Sequence, residues 1–233
     1  MKRREGLVAA LGVLAATGLI DVRAQAPAPR VGDLKPLGQD RFQIGRIVID
    51  KRARVFTVPG RVHVVGKPLE YLATSPGGMK AYETLFELDT SGSEFNLACI
   101  LIGLEPDPKQ VPWQQFRQAA QLAGPRIAIS IVWSEGGRPR QVSAAEALLN
   151  PEAGVKPESV EWVYVGSPAS EGQGRFAADD TGTLIGFVHD SNSIIESRSA
   201  IGLGAYGSVR GHAMLPPIGS AIELVVEATA TAQ

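Results

Sequence analysis

Glu70 and Glu83, with Lys80 between them in the chain, are the residues best placed to do chemistry. They flank Ser75-Pro76-Gly77-Gly78, a turn sequence that separates two strand-like runs. An even-numbered hairpin loop centred between Pro76 and Gly77 sets Glu70 opposite Glu83 and Tyr71 opposite Tyr82, whereas a three- or five-residue loop sets Glu70 opposite Tyr82 or Thr84. Like charges facing each other on a sheet repel, so such a pair calls for a cation, a shared proton or full exposure to solvent. A confined pair would serve as the acid and base of a hydrolase, alone or with a divalent metal. Structural ion pairs outnumber catalytic ones, so the two glutamates are read first as surface residues, solvated or paired with Lys80, Lys67 or Arg61. Glu70, Glu83 and Lys80 therefore stand as candidates, and no catalytic residue is assigned.

Other strings are weaker. Gly202-Leu203-Gly204-Ala205-Tyr206-Gly207 satisfies a dinucleotide fingerprint, but Gly211, Pro216 and Pro217 deny it the following helix, so it reads as a glycine-rich loop. Asp180-Thr181-Gly182 and Asp89-Thr90-Ser91-Gly92 resemble the paired loops of aspartic proteases, yet turn and capping chemistry already accounts for both. His63, His189 and His212 lack metal-ligand spacing and read as ordinary histidines, and Asp190 to Ser193 read as a polar loop. No Gly-x-Ser-x-Gly elbow is present. No cofactor is expected, and the sequence names no metal. Trp133 and Trp162 sit in strand-like runs and are expected in the core, while Trp113 falls in a polar stretch.

The elements that must position these residues are mostly strands. Ile47 to Ile49, Val55 to Val58, Arg61 to Val65, Leu69 to Thr74 and Lys80 to Leu88 read as an antiparallel meander, with Pro59-Gly60 as a break. Ser91-Gly92-Ser93-Glu94 has capping-box spacing, and the helix it opens, about 93–103, is apolar nearly all round and is expected to be buried. A second β-rich half runs from Arg126 to Trp133, through a short helix near Ser143 to Leu149, to strands at Trp162 to Val165, Thr183 to Phe187 and Ala221 to Glu227. Asp179-Asp180-Thr181-Gly182 reads as a hairpin turn. The expected class is α+β: mainly antiparallel strands, one buried helix and short additional helices.

Composition bounds the setting. Met1 to Arg4 is basic, Leu7 to Ile20 is uncharged and apolar, and Val22-Arg23-Ala24 supplies small residues at cleavage positions, so residues 1–24 read as a signal peptide with a mature start at Gln25. Arg3-Arg4 also admits twin-arginine export. Removing four of 23 basic and two of 24 acidic residues leaves 19 against 22, too acidic a balance for a nucleic-acid binder. No other segment is long and apolar enough to span a membrane. Residues 25–39 read as a disordered Pro/Ala-rich tether, 40–228 as the folded unit, in one core or in lobes at 40–106 and 125–228, and 229–233 as a tail. Cys99, the single cysteine, lies in an apolar run and is expected to be buried and inert.

Val58-Pro59-Gly60-Arg61-Val62, Leu69-Glu70-Tyr71-Leu72, Lys80 with Glu83, and Ile102-Gly103-Leu104 resemble the YdjY-domain proteins, a family of secreted bacterial proteins to which no common activity attaches. Trp162-Val163-Tyr164-Val165-Gly166-Ser167, Ala178-Asp179, Gly182-Thr183-Leu184-Ile185 and Leu215-Pro216-Pro217-Ile218-Gly219 extend the likeness over most of the mature chain. The family often carries a histidine before the glutamate that matches Glu83. Tyr82 stands there in this chain, which removes a His-Glu site from what the resemblance implies. It implies a fold and an export route, to the periplasm or the extracellular space. The function expected is a binding or accessory module of the bacterial cell envelope, whose partner is an envelope protein or a small ligand; the alternative is a hydrolase built on Glu70 and Glu83.

Overall fold

The computed structural model describes residues 32–106, 122–149, 159–170, 176–199 and 208–229. The signal-type segment, most of the stretch around Trp113 and the glycine-rich string at 202–207 lie outside them. The chain opens with β1 (Lys35–Gly38), β2 (Arg41–Ile44) and β3 (Ile47–Asp50), a meander feeding β4 (Val55–Val62). The first strand thus begins inside the stretch read as a tether. β5 (Tyr71–Thr74), a 3-10 turn (Ala81–Glu83), β6 (Thr84–Leu88) and α1 (Gly92–Leu101) complete the first half. The second half holds β7 (Arg126–Glu135), β8 (Arg138–Ser143), β9 (Leu148–Leu149), β10 (Trp162–Tyr164), α2 (Ala177–Thr181), β11 (Thr183–Gly186), β12 (Ile195–Ser197), β13 (Arg210–Gly211) and β14 (Ala221–Ala228).

These strands do not form two lobes. β4, β14, β7, β10, β12, β11, β5 and β6 hydrogen-bond in that order, and β6 returns to β4, closing an eight-stranded barrel. Closure leaves no open edge among these strands, and period-two patterning fills the interior. Ile222, Leu224 and Val226 of β14 turn inward beside Ile127, Ile129 and Ile131 of β7 and Phe56 and Val58 of β4, in one core drawn from both halves. The expected α+β class is overturned: the protein is mostly β, its barrel includes the parallel pairs β5–β6 and β11–β12, and only two short α-helices occur among the described residues.

Local chemistry explains the differences. Pro59-Gly60 does not break β4. Its C-terminal half leaves β3 and takes up β6 along the same edge, and the Pro59 carbonyl accepts the Asp89 amide at 2.9 Å there, so the missing proline N–H falls at the junction and the β14 ladder is unharmed. Gly60 lets β6 approach closely, since a Cβ would lie 2.4 Å from the Glu87 carbonyl oxygen.

The capping box forms as read, Ser91 Oγ accepting the Glu94 amide at 3.2 Å and Glu94 accepting the Ser91 amide at 3.3 Å. The helix is not buried all round, however. Phe95, Ala98 and Cys99 are enclosed while Ile100 is 47% exposed. Phe95 packs edge-on against Phe56 of β4, and Asn96 accepts the Tyr164 hydroxyl of β10 at 2.8 Å, so α1 bridges two walls of the barrel. Residues 179–182, read as a hairpin turn, close α2, with Gly182 left-handed at φ 74°. The short helix expected near 143–149 is a turn followed by β9. No described helix is long and apolar enough to cross a membrane. Cys99, Trp133 and Trp162 are all buried, as read.

Candidate functional site

The expected hairpin between Glu70 and Glu83 does not exist, because β5 and β6 run parallel, with Tyr71 beside Thr84 and Ala73 beside Phe86. The two glutamates are neighbours all the same. The Glu70 amide donates to the Glu83 carbonyl at 3.0 Å, and the 3-10 turn before β6 brings Lys80 over both side chains. Lys80 Nζ lies 2.7 Å from Glu83 and 3.9 Å from Glu70, whose side chains are 13% and 12% exposed. The cation that a close glutamate pair requires is thus Lys80, and the glutamates are largely buried rather than solvated. The Glu83 hydrogen bond holds the Lys80 pKa above its ordinary value, so Lys80 is a fixed ammonium and not a base. Tyr82 does not face Tyr71; it is exposed, with its ring 5.7 Å from Lys80 Nζ. Arg61 pairs instead with Glu87, and Lys67 is exposed.

Lys80 borders a cleft of about 440 Å³ whose other walls are Tyr71, Met79, Thr181, Thr183 and the loop His189 to Asn192. Three sets of bonds shape it. Phe187 and Val188 donate their amides to the Glu70 carbonyl, both at 3.2 Å, which ties the loop after β11 to the start of β5. Asp190 accepts the Tyr71 hydroxyl at 2.9 Å and the Asn192 amide and side-chain nitrogen at 3.0 and 2.8 Å. Beneath, Glu196 of β12 is 1% exposed, meets Nδ1 of His189 through one oxygen and accepts the Asp190 amide at 3.2 Å through the other.

The electrostatics follow from burial. Desolvation first, then the Asp190 charge and hydrogen bond, push the Tyr71 phenol above its usual pKa, so it stays protonated. Desolvation raises Glu196 to about 7, against the opposing pull of His189 and the Asp190 amide. The cleft therefore presents an ammonium, a phenol, a carboxylate, an imidazole, hydroxyls and an amide, and Lys80, Tyr71, Asp190, Asn192 and His189 are each held by a protein partner. No group of three or more His, Cys, Asp or Glu side chains able to hold a metal occurs among the described residues.

Sequence reasoning missed Glu196 altogether and set Tyr71 opposite Tyr82. The signal for Glu196 was a carboxylate inside Ile194-Ile195-Glu196, a run otherwise suited to burial. His189 and Asp190 were seen and set aside as an ordinary histidine and a loop. The protease-like carboxylates are not brought together: Asp89 pairs with Arg46 at 3.1 Å, Asp179 accepts the Ser93 amide at the start of α1, and Asp180 accepts the Ser170 hydroxyl. His63 lies 4.0 Å from Glu87, and His212 accepts the Met214 amide.

No curated protein and no solved structure matches the chain. The YdjY domain matches residues 47–227, from the first residue of β3 to the penultimate residue of β14, so the whole barrel is the matched unit. On that match, the chain belongs to the YdjY-domain family.

Proposed function

We propose that the protein is a non-catalytic binding module of the cell envelope, exported to the periplasm or the extracellular space, that holds a small polar ligand in the cleft over Tyr71, Lys80 and Asp190. The supporting observation is that the ionisable groups of the cleft are each held in place by a protein partner. Lys80 is committed to Glu83 and Glu70, Tyr71 to Asp190, and Glu196 to His189 and the loop backbone. Groups held in this way are pre-positioned to orient a ligand by hydrogen bonds.

The competing reading is a hydrolase using Glu70 and Glu83, with or without a divalent ion; it is favoured by the closeness of the two carboxylates. Melting curves of the wild type, Glu70→Gln and Glu83→Gln with calcium, magnesium or zinc separate the binding reading from the metal-assisted form of the hydrolase. The binding reading expects no metal-dependent rise in melting temperature. A rise in the wild type that both variants lose would overturn it and make the pair a metal or carboxylate site to be assayed for hydrolysis. Amide chemical shifts recorded with glucosamine and with glucose supply the positive test, with perturbations expected at residues 79–80, 181–183 and 189–192. If neither probe moves those amides, the cleft is not a site for this class of ligand.

A further inference from the structure

We propose that the polar cleft selects a ligand bearing a protonated amine, which Asp190 accepts, and rejects anions; this rests on the binding reading above. The cleft's volume, about 440 Å³, falls within the range of roughly 300–1,000 Å³ usual for small-molecule sites.

Asp190 lines the cleft and is held in one orientation. The Tyr71 hydroxyl donates to Oδ2 at 2.9 Å, while the Asn192 amide and side-chain nitrogen donate to Oδ1 at 3.0 and 2.8 Å. A carboxylate has about four acceptor positions, roughly two on each oxygen, so Oδ2 keeps one for a donor from a ligand.

Charge decides which donor. Among the described residues that line the cleft, Lys80 is the one lysine or arginine. Glu83 lies 2.7 Å and Glu70 3.9 Å from its Nζ, so these three charges sum to one negative, and Asp190 brings the sum to two. Beneath the loop, the pair of His189 and Glu196 adds no net charge while it holds one proton. After burial itself, the charges that keep the proton on the Tyr71 hydroxyl are those of Asp190, Glu70 and Glu83, all negative. The field is thus negative where Tyr71 meets Asp190, which is where the ligand's donor would sit. An ammonium there gains a charge-assisted hydrogen bond, roughly twice as strong as the neutral bond of a hydroxyl. A carboxylate in the same place meets like charge, and the one lysine is already neutralised. Thr181, Thr183, Ser191 and Asn192 line the rest of the cleft and suit further hydroxyl groups, so the class is a hydroxylated amine.

Glucosamine, glucose and glucuronate test the inference, because they share a hydroxylated ring and differ in charge. Titrated into the full chain at about pH 6, where the amine is protonated, glucosamine is expected to perturb the amides of residues 189–192. It should bind about tenfold more tightly than glucose, and glucuronate should bind more weakly than either. Asp190→Asn removes the charge and should bind glucosamine and glucose equally. Equal wild-type affinity for glucosamine and glucose, glucuronate bound as tightly as glucose, or an amine preference that survives in Asp190→Asn would overturn the assignment and leave the binding reading standing. If none of the three moves those amides, the binding reading falls and the assignment with it. The order of the three affinities in the wild type decides the matter even if Asp190→Asn fails to fold.

Discussion

Glu196 lies 1% exposed beneath the polar cleft and meets the His189 to Asn192 loop through His189 and the Asp190 amide. The groups acting on it are His189 and Asp190; its neighbours on β10 and β11, Val163 and Gly186, carry no charge. Because burial raises its pKa from 4.5 to about 7, the folded protein binds a proton that the unfolded chain releases between those values. Its contribution to stability is therefore complete below about pH 4.5 and is lost as pH rises towards about 7. Relative to Glu196→Gln, the wild type should lose melting temperature between about pH 5 and pH 7.5, and parallel profiles in calorimetry would show that Glu196 ionises freely in the fold. Cys99 gives a simpler test. It is fully enclosed and burial raises its pKa, so a thiol reagent should label it after denaturation and not before; labelling of the native protein, or a disulfide-linked dimer, would contradict the burial. At this scale the sequence was readable wherever a residue's neighbours in the chain determine its surroundings. Cys99 in an apolar run is such a case. The Glu70, Lys80 and Glu83 grouping was reached through a hairpin that does not form, because two quite different topologies set those three residues side by side. Glu196 was hidden because its partners His189 and Asp190 reach it across a loop.

The joints between elements rest on close backbone approaches. At Gly60 the chain passes from β3 to β6 as its neighbour, and at Gly92 the first turn of α1 meets Ala178, whose carbonyl carbon would lie 2.6 Å from an added Cβ. Neither contact can relax by rotating a side chain, since the obstructing atoms are backbone. Gly60→Ala and Gly92→Ala should each lower stability by about 1–3 kcal/mol in urea melts. Ser91→Ala, which removes the cap of α1 without adding atoms, should lower it by about 1 kcal/mol. Near-neutral glycine variants would mean that the strands and helices separate more easily than this packing allows. The same joints show why element identity was easier to read than pairing. The capping box and the alternation of β14 are local patterns. β5 to β6 has the look of a hairpin, with turn residues between two apolar runs, but β5 is four residues long, about 13 Å, and the nine-residue link can span about 30 Å, enough to return the chain for parallel pairing.

At the scale of the molecule, closure depends on contacts that no local pattern contains. β4 pairs along one edge with β14, more than 150 residues away, and along the other with β3 and then β6. β5 of the first half pairs with β11 of the second, and the main core draws on both. A reading that moves along the chain sees two β-rich halves and cannot tell one core from two, because register between distant strands is chosen by the assembled interior and not by either strand alone. Cooperativity follows from the interleaving. Neither half can keep its strands paired when the other unfolds, since β14 and β7 would leave β4 with an open edge and β5 would lose β11. Thermal unfolding should therefore be a single transition with calorimetric and van't Hoff enthalpies in agreement, followed identically by far-ultraviolet circular dichroism and by tryptophan fluorescence. Loss of the first-half strands in a transition separate from that of β7 and β14 would mean that the halves fold independently, and the seam between β4 and β14 would then be an interface between two domains and not the wall of one barrel.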